Sequence, residues 1–123
     1  MEKIYNRTEI LLGKENVEKI KQKHVLICGI GGVGSYTLEA LARIGIGKIT
    51  IVDKDIIDIT NINRQLLALN STVGKDKVEI AQKRVKDINP NIYVEILKVE
   101  INQDNICELV LNTKILMMLF VEM

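Results

Sequence analysis

The segment "GIGGVGS", residues 29–35, lies between the apolar run "HVLIC" (24–28) and "YTLEALARIG" (36–45), in which apolar residues recur at helical spacing. A strand that passes through glycines into a helix can bring its backbone close to an anion. No Cβ atoms intervene there, and the first N–H groups of the helix point toward the anion. The segment therefore predicts a phosphate-binding turn. Glycines alone are a weak signal, because close packing of a helix on a strand also selects them.

Strands and helices alternate along the rest of the chain. The strand before the glycines is predicted over 24–30, and three further strands are predicted at 48–53, 92–99 and 115–121. Helices are predicted at 14–22, 35–45, 75–88 and 102–112, with an irregular segment or one short helical turn at 61–69. Strands separated by helices pair in parallel through right-handed crossovers. The predicted fold class is therefore α/β, with a Rossmann-like, doubly wound, mainly parallel sheet that stops after about four strands.

Length and composition indicate a single domain. The chain has 123 residues, of which 47% are apolar and 27% charged, and this apolar content is sufficient for one hydrophobic core. We divide the chain into three parts: an N-terminal arm and helix (1–23), a nucleotide-binding Rossmann-like core (24–110) and an atypical C-terminal tail (111–123).

Charge, hydropathy and cysteine content argue against several classes of function. The formal net charge of +1 gives no overall field toward nucleic acid or an anionic membrane. No apolar run approaches the ~18 residues of a membrane span, and the N-terminus lacks the apolar core of a secretory signal. Cys28 and Cys107 form no Cys-x-x-Cys pair, which fits a reducing compartment. We expect a cytoplasmic protein with no membrane partner, and we assign no metal-ligating residue.

Asp53 strengthens the case for a nucleotide. It ends the second predicted strand, roughly 20 positions after the glycine turn, where an acidic side chain can hydrogen-bond ribose hydroxyls. The turn and Asp53 together are typical of sites for a dinucleotide such as NAD or FAD, and equally of a site for ATP.

Polar and cationic residues after Asp53 favour a reaction that expels pyrophosphate. A pyrophosphate diester is held well enough by backbone amides, whereas leaving phosphates accumulate negative charge that placed cations stabilise. The segment "TNINRQ" supplies Asn61 and Arg64, and "STVGKDK" supplies Lys77 near the start of the next helix. We interpret these three residues as phosphate contacts. The other cations of that helix are interpreted as a solvated face: Lys75, Lys83, Arg84 and Lys86.

The motifs together resemble a known family. "GIGGVGS", "VDKDIIDITNINRQ", "STVGKDKVE" and "INP" are similar to the nucleotide-binding core of the ubiquitin-activating-enzyme superfamily in its bacterial ThiF/MoeB/HesA form. The resemblance covers roughly residues 5–100 in unbroken order, and the combination is far more specific than any one motif. Within that family, "RTEILLGKE" and "TNINRQLLAL" are most similar to the TcdA-type tRNA threonylcarbamoyladenosine dehydratases.

The resemblance implies a chemistry and a set of site residues. Members bind ATP and Mg²⁺ and attach AMP to a carboxylate with loss of pyrophosphate. On that basis the phosphates are lined by Gly29, Gly31, Gly32, Gly34 and Ser35. Asp53 holds the ribose, and Asp55 shapes the same loop. The triphosphate is contacted by Asn61, Arg64, Gln65 and Lys77. Related dimers send an arginine into the partner's site, and Arg7 matches that position. The catalytic residues implied are thus Arg7, Arg64 and Lys77.

Three hypotheses on function remain open from the sequence. TcdA-type members cyclise a threonylcarbamoyl group on tRNA, which makes tRNA the expected substrate and a homodimer the expected assembly. A second hypothesis keeps the adenylation and makes the substrate the C-terminal carboxylate of a ubiquitin-like sulfur carrier. A third is a Rossmann-type module that binds NAD or FAD without adenylation.

The end of the chain departs from the family pattern. Relatives continue into an Asp-containing turn that holds magnesium, and into further sheet. Here "LNTKILMMLFVEM" (111–123) contains no Asp, and the pattern is unrecognisable after about residue 110. We expect a truncated or frame-changed chain that binds nucleotide weakly, is catalytically impaired, and self-associates through uncovered apolar surface.

Overall fold

The computed structural model describes residues 2–111 and 118–120, excluding the side chains of residues 2 and 118–120. Its strands are β1 (His24–Cys28), β2 (Lys48–Val52), β3 (Tyr93–Leu97) and β4 (Met118–Phe120). Its α-helices are α1 (Asn6–Leu12), α2 (Lys14–Lys21), α3 (Gly32–Ile44), α4 (Lys77–Ile88) and α5 (Ile106–Leu111). Two short 3₁₀ helices span Glu2–Tyr5 and Ile59–Asn61.

The four strands form one parallel sheet in the order β3-β2-β1-β4. Strand β1 pairs with β2 from His24↔Lys48 to Cys28↔Val52, and β4 joins its other side from Leu26↔Met118 to Cys28↔Phe120. The chain thus winds outward from β1 to β3 and then crosses back to place β4 beside β1. This order confirms the predicted α/β, Rossmann-like sheet, and it places a topological switch point between β1 and β4.

Alternation along the strands produces two apolar layers. Val25 and Ile27 of β1 pack with Ile49 and Ile51 of β2 against the buried faces of α3 and α4. Leu26 and Cys28 face the other side, in a smaller cluster that includes Leu109 of α5. Each fully buried Ile or Leu side chain contributes about 1.5–3 kcal/mol, so the larger layer dominates stability.

Strand β3 is the edge strand on its side of the sheet, and α4 covers part of its backbone. Lys86 Nζ donates to the carbonyl oxygen of Ile92. One helical turn earlier, Gln82 Nε2 donates to the carbonyl of Val94 at 3.5 Å. Two carbonyls of the outer edge are therefore occupied by side chains of the same domain.

The element boundaries differ from prediction at several helix ends. Helix α3 begins at Gly32 rather than residue 35, because the turn itself needs only Gly29 to Gly31. Helix α4 begins at residue 77 and α5 at residue 106, each later than predicted, and α5 ends at residue 111. The segment "NINRQLLAL" is irregular, which is one of the two predicted forms, and the 3₁₀ turn Ile59–Asn61 overlaps it only at Asn61.

Regular structure is present near both ends of the chain. The N-terminal arm contains α1, and Tyr5 is buried in the fold. The predicted fourth strand at 115–121 appears at residues 118–120, and the rest of it lies outside the described residues. No helix in the described part of the chain has the length and apolar character needed to span a bilayer.

Candidate nucleotide-binding site

The predicted site residues that follow β1 and β2 meet at the carboxyl edge of the sheet. The N–H of Gly29 donates to the carbonyl of Val52 at 2.8 Å, and the N–H of Asp53 donates to the carbonyl of Leu97 at 3.2 Å. The segments that follow β1 and β2 therefore leave the sheet side by side. In doubly wound folds, ligands bind at this edge near the switch point of the strand order.

The glycine turn leaves a helix end uncapped. Gly29 has φ of 92°, a left-handed conformation that favours glycine because it lacks a Cβ. Ile30 is fully buried and holds the turn against the core. Gly31 is the N-cap of α3, and no side chain caps the helix there. The first N–H groups of this 13-residue helix are thus available to an anion, with the positive end of the helix dipole behind them.

Asp53 joins the glycine turn to the loop after β2. Its Oδ2 accepts the N–H of Ile30 at 3.0 Å, and its Oδ1 accepts the N–H of Asp55 at 2.8 Å. Each carboxylate oxygen retains a further lone pair that a ribose hydroxyl can use. Asp53 therefore holds the geometry of the turn and still lies where the sequence predicted a ribose contact.

Asp55 fixes the start of α4 through its backbone. Its carbonyl accepts the N–H of Lys77 at 3.1 Å, while its carboxylate is exposed. Ile56 forms an isolated antiparallel bridge with Asp76, and the N–H of Ile57 donates to the carbonyl of Lys75 at 2.8 Å. These contacts bring Lys77 to the carboxyl edge although it lies 24 positions beyond Asp53 in the chain.

Lys77 has a largely buried side chain whose ammonium group keeps contact with solvent and has no counterion among the described residues. It is 5% exposed, and none of the ion pairs or side-chain hydrogen bonds formed among residues 2–111 involves its ammonium group. The buried methylene stem restricts where the ammonium can lie, and the ammonium has no partner that a ligand would need to displace. Lys77 therefore lies where an anionic ligand would lower the free energy of the folded chain.

Gln65 is a second buried group without a partner. It is 4% exposed, and its Nε2 is fully buried with no hydrogen-bond acceptor in the described structure. Leaving such a donor unsatisfied costs roughly 1–3 kcal/mol. The backbone of the loop is held by Ser35, whose buried Oγ accepts the N–H of Leu66 at 3.1 Å. Because Ser35 is in the first turn of α3, this bond places Gln65 beside the uncapped helix end.

Asn61 and Arg64 are partly engaged in their own loop. Asn61 Oδ1 accepts the N–H of Asp58 at 2.8 Å, and Asp58 Oδ2 accepts the N–H of Thr60 at 2.9 Å, which completes a capping box. Arg64 Nη1 donates to the carbonyl of Thr60 at 3.1 Å and to Asn63 Oδ1 at 3.0 Å. The guanidinium carries five donors, so this inward arrangement leaves Arg64 capacity for a further contact.

The structure does not bring Arg7 to this site. Arg7 is exposed in the first turn of α1. It follows the buried Tyr5 and the exposed Asn6 in the chain. Tyr5 packs against Gly45 and bonds Asn89, which precede β2 and β3. Since all strands are parallel, Arg7 lies near the amino edge of the sheet, and the glycine turn lies at the carboxyl edge.

Two of the contacts that order the site were missed from the sequence. The Asp58-x-x-Asn61 spacing is a capping signal that could have been found, because Asp at an N-cap and an amide three residues later bond reciprocally. Hydrogen bonds from the Thr60 hydroxyl and N–H hold the pKa of Asp58 below its usual value. The Ser35 to Leu66 bond joins residues 31 positions apart and has no local signal.

No protein cage for a metal is present in the described ranges. Among residues 2–111 and 118–120, no three side chains of His, Cys, Asp or Glu are grouped closely enough to hold a metal ion. The donors at the carboxyl edge are mainly N–H groups, an amide and cations, which suit an anion.

A parallel sheet with a switch point beside β1, an uncapped glycine-turn helix and an unpaired lysine with a buried stem define a Rossmann-like domain with an anion-binding edge. The chain belongs to the ThiF family, whose family model matches residues 5–119. The match extends beyond residue 110, past the last of the sequence motifs that resemble the family.

Several characterised proteins are similar to this chain. The Bacillus subtilis tRNA threonylcarbamoyladenosine dehydratase is 53% identical over 94 residues, covering 76% of this chain and 37% of that protein. The Thermus thermophilus sulfur carrier protein adenylyltransferase is 35% identical over 107 residues, covering 85% of this chain and 40% of that protein. The crystal structure of the Escherichia coli tRNA N6-threonylcarbamoyladenosine dehydratase TcdA in complex with ATP superposes with a TM-score of 0.86 and 38% identity.

The similarity covers only part of each relative. The E. coli structure is matched over 88% of this chain and 44% of its own chain. The chain thus spans roughly two fifths of the length of these relatives. Family and fold are established by these matches, and the resemblance predicted from the motifs is confirmed.

Proposed function

We propose that the chain binds ATP at the carboxyl edge of the sheet and belongs to an enzyme that adenylates a carboxylate. The observation that carries the proposal is the unpaired ammonium of Lys77, at the start of α4, on the same edge of the sheet as the uncapped end of α3. A polyphosphate supplies the missing counterion and accepts the helix N–H groups at the same time. The ATP complex of TcdA supports the same ligand for this family.

The residues present fit ATP in both charge and hydrogen bonding. The free N–H groups at the start of α3 and Gln65 Nε2 are donors whose hydrogen bonds ATP phosphates would accept. The remaining lone pairs of Asp53 would accept ribose hydroxyls. Bound ATP supplies an α-phosphate that a carboxylate oxygen attacks, with pyrophosphate as the leaving group. Lys77 and Arg64 would stabilise the charge that builds on the departing phosphates.

The proposed acceptor is the threonylcarbamoyl group of a modified adenosine in tRNA. The relative at 53% identity is a tRNA threonylcarbamoyladenosine dehydratase. A ubiquitin-like sulfur carrier is a second candidate, because the T. thermophilus relative at 35% identity is a sulfur carrier protein adenylyltransferase. Membership of the ThiF family and the ATP complex of TcdA favour adenylation over an NAD or FAD module.

The proposal includes an assembly and a metal. Arg7 would act in trans in a homodimer, because it lies at the amino edge of its own chain. Mg²⁺ would be bound chiefly by the phosphates of ATP, as is common for this ion. We expect this chain alone to bind nucleotide weakly and to have impaired catalysis, and we expect a cytoplasmic location.

A competition experiment tests the nucleotide assignment. A fluorescent adenine nucleotide is bound to the full chain and then displaced with ATP or with NAD. We expect ATP to displace it and Lys77→Ala to weaken ATP at least about tenfold, the loss typical of a charged contact. Lys83→Ala is the matched control, because Lys83 is an exposed lysine of the same helix. Displacement by NAD and not by ATP would show that the adenylation proposal is wrong.

Catalysis is tested separately by pyrophosphate exchange at high protein concentration. We expect little or no exchange from this chain. Robust turnover would show that the residues described here are sufficient for the reaction.

A further inference from the structure

Tyr5 is held at the amino edge by contacts on every side. It is 4% exposed although it is the fifth residue of the chain. A Cβ on Gly45 would lie 2.6 Å from Tyr5 Cε1, so the ring occupies space that only glycine leaves there. Lys21 Nζ lies 4.1 Å from the ring centroid, and Asn89 Nδ2 donates to the Tyr5 hydroxyl at 2.9 Å. A chain end is ordinarily mobile unless it is tied down, and these contacts tie it down.

The anchor determines where Arg7 can act. Tyr5 is the N-cap of α1, and Arg7 is the second residue of that helix, so the two lie within one helical turn. The strands between the amino and carboxyl edges have five residues, about 16 Å. An extended arginine side chain reaches roughly 7 Å from its Cα by standard bond lengths. Arg7 therefore falls short of the glycine turn of its own chain.

The same face of α1 is unpaired and apolar beyond Arg7. Arg7 forms no ion pair with any residue in the described ranges. Ile10 and Leu11, three and four positions further, are 86% and 82% exposed. Residues at this spacing share one face of a helix. An exposed cation flanked by two exposed apolar side chains suits a second copy of this chain, whose bound phosphates would complement the charge of Arg7.

We infer that Tyr5 is a positioning residue for Arg7: it fixes the first turn of α1 so that Arg7 is withheld from its own site and presented to the site of a second copy. The inference rests on the proposed ATP site. When Arg7 contacts a bound phosphate, an anchored Arg7 loses less backbone and side-chain entropy than an arginine on a mobile arm. Tyr5 therefore raises ATP affinity although it does not contact ATP. A purely structural tyrosine would change stability and leave ATP affinity unchanged.

A double-mutant cycle on ATP binding separates these roles. We expect Arg7→Ala to weaken ATP about tenfold, and Tyr5→Ala to weaken it by a similar factor. Because both changes remove one contact, Tyr5→Ala in the Arg7→Ala background should cause no further loss. Tyr5→Phe keeps the ring in place and should retain nearly wild-type affinity. If Tyr5→Ala does not fold, Tyr5→Leu takes its place in the cycle.

Two controls account for changes in stability. Val17→Ala removes buried volume from α2 and should lower the melting temperature with ATP affinity unchanged. Tyr93→Ala truncates an exposed tyrosine, which should leave both properties nearly unchanged.

Mixing variants tests the action in trans. A Tyr5→Ala chain has an intact site and a displaced arginine, whereas a Lys77→Ala chain has a defective site and an anchored arginine. We expect an equimolar mixture of the two to regain ATP sites of wild-type affinity. A mixture of Tyr5→Ala with Arg7→Ala should regain none, because neither chain presents an anchored Arg7.

The outcomes distinguish the inference from the proposed function. Unchanged ATP binding in Lys77→Ala would overturn the ATP site itself. Loss of binding in Lys77→Ala, with Tyr5→Ala or Arg7→Ala at wild-type affinity, would overturn only the role of Tyr5. Additive losses of ATP affinity in the Tyr5 and Arg7 double-mutant cycle would also overturn the role of Tyr5. So would a mixture of Tyr5→Ala and Lys77→Ala chains that regains no ATP affinity.

Discussion

The two edges of the sheet treat buried polar groups in opposite ways. At the amino edge, Asn89 Nδ2 donates to the Tyr5 hydroxyl at 2.9 Å, and Asn89 Oδ1 accepts the N–H of Asn91 at 3.0 Å. At the carboxyl edge, Gln65 Nε2 has no partner among the described residues, and the buried Lys77 has no counterion there. Helices α3 and α4 connect the two edges, since each begins at one and ends at the other. Buried polar groups that are hydrogen-bonded stabilise the protein without a ligand. Groups left unpaired gain a hydrogen bond or an ion pair only when a ligand binds, and they therefore favour binding.

The largest effect is expected from filling the tightest point of the amino edge. A Cβ on Gly47 would overlap the carbonyl oxygen of Lys21 at the end of α2. Because that neighbour is backbone, Gly47→Ala should lower the free energy of unfolding by more than about 3 kcal/mol. Gly13→Ala is the control: nothing lies within 4 Å of an added Cβ, so its cost should be that of the strained backbone conformation (φ 86°, ψ 151°) alone, about 1–3 kcal/mol. Urea denaturation measures the free energy of unfolding of both variants. Equal losses in Gly47→Ala and Gly13→Ala would show that the close approach of Gly47 to the Lys21 carbonyl does not determine the cost.

Removing one hydroxyl at the amino edge should have the next largest effect. Tyr5→Phe leaves the buried Asn89 Nδ2 without an acceptor, which should cost about 1–2 kcal/mol of unfolding free energy. Tyr36→Phe is the control, because Tyr36 is 56% exposed and its hydroxyl can bond water. Thermal denaturation measures both. Identical melting temperatures for wild type and Tyr5→Phe would contradict the pairing.

The corresponding change at the carboxyl edge should have the opposite sign. Gln65→Leu replaces an unsatisfied buried amide with an apolar group of similar size. It should therefore raise the unfolding free energy without ligand by about 1 kcal/mol and weaken ATP several-fold. Gln82→Leu is the control, since the Gln82 amide already donates to Val94, and it should not stabilise the fold. Destabilisation by Gln65→Leu would show that the amide has an unrecognised structural partner.

The smallest effect concerns the link between α3 and α4. Glu39 bonds Arg84 Nε at 2.5 Å and Arg43 Nε at 2.8 Å, and these bonds, that of Arg84 foremost, hold the pKa of Glu39 below its usual value of 4.5. A pKa lowered by folding stabilises the protein fully above the unfolded pKa and loses that contribution as pH falls through the folded pKa. Glu39→Gln should thus cost less than about 1 kcal/mol at pH 7, and the difference from wild type should shrink below pH 4.5. A pH-independent difference would mean that ionisation of Glu39 contributes nothing.

The sequence predicted the carboxyl edge better than the amino edge, for a physical reason. The glycine turn, Asp53 and the polar loop are local patterns whose residue types are constrained by phosphate chemistry, so they can be read within short windows. The burial of Lys77 is not local, because it depends on backbone bonds from Asp55 and Ile57. The Tyr5 anchor joins residues 84 positions apart and obeys no spacing rule. In the N-terminal arm Tyr5 is therefore buried, whereas no residue of α1 is.

The covered edge of β3 has a consequence for how the sheet can grow. Lys86 and Gln82 occupy carbonyls that an incoming strand would need on that side. In the described part of the chain, β4 pairs with β1 alone, so its outer side is the one open to extension. A further strand would therefore join the sheet beside β4 and not beside β3. This difference between the two outer strands confines edge-to-edge association to one side of the sheet.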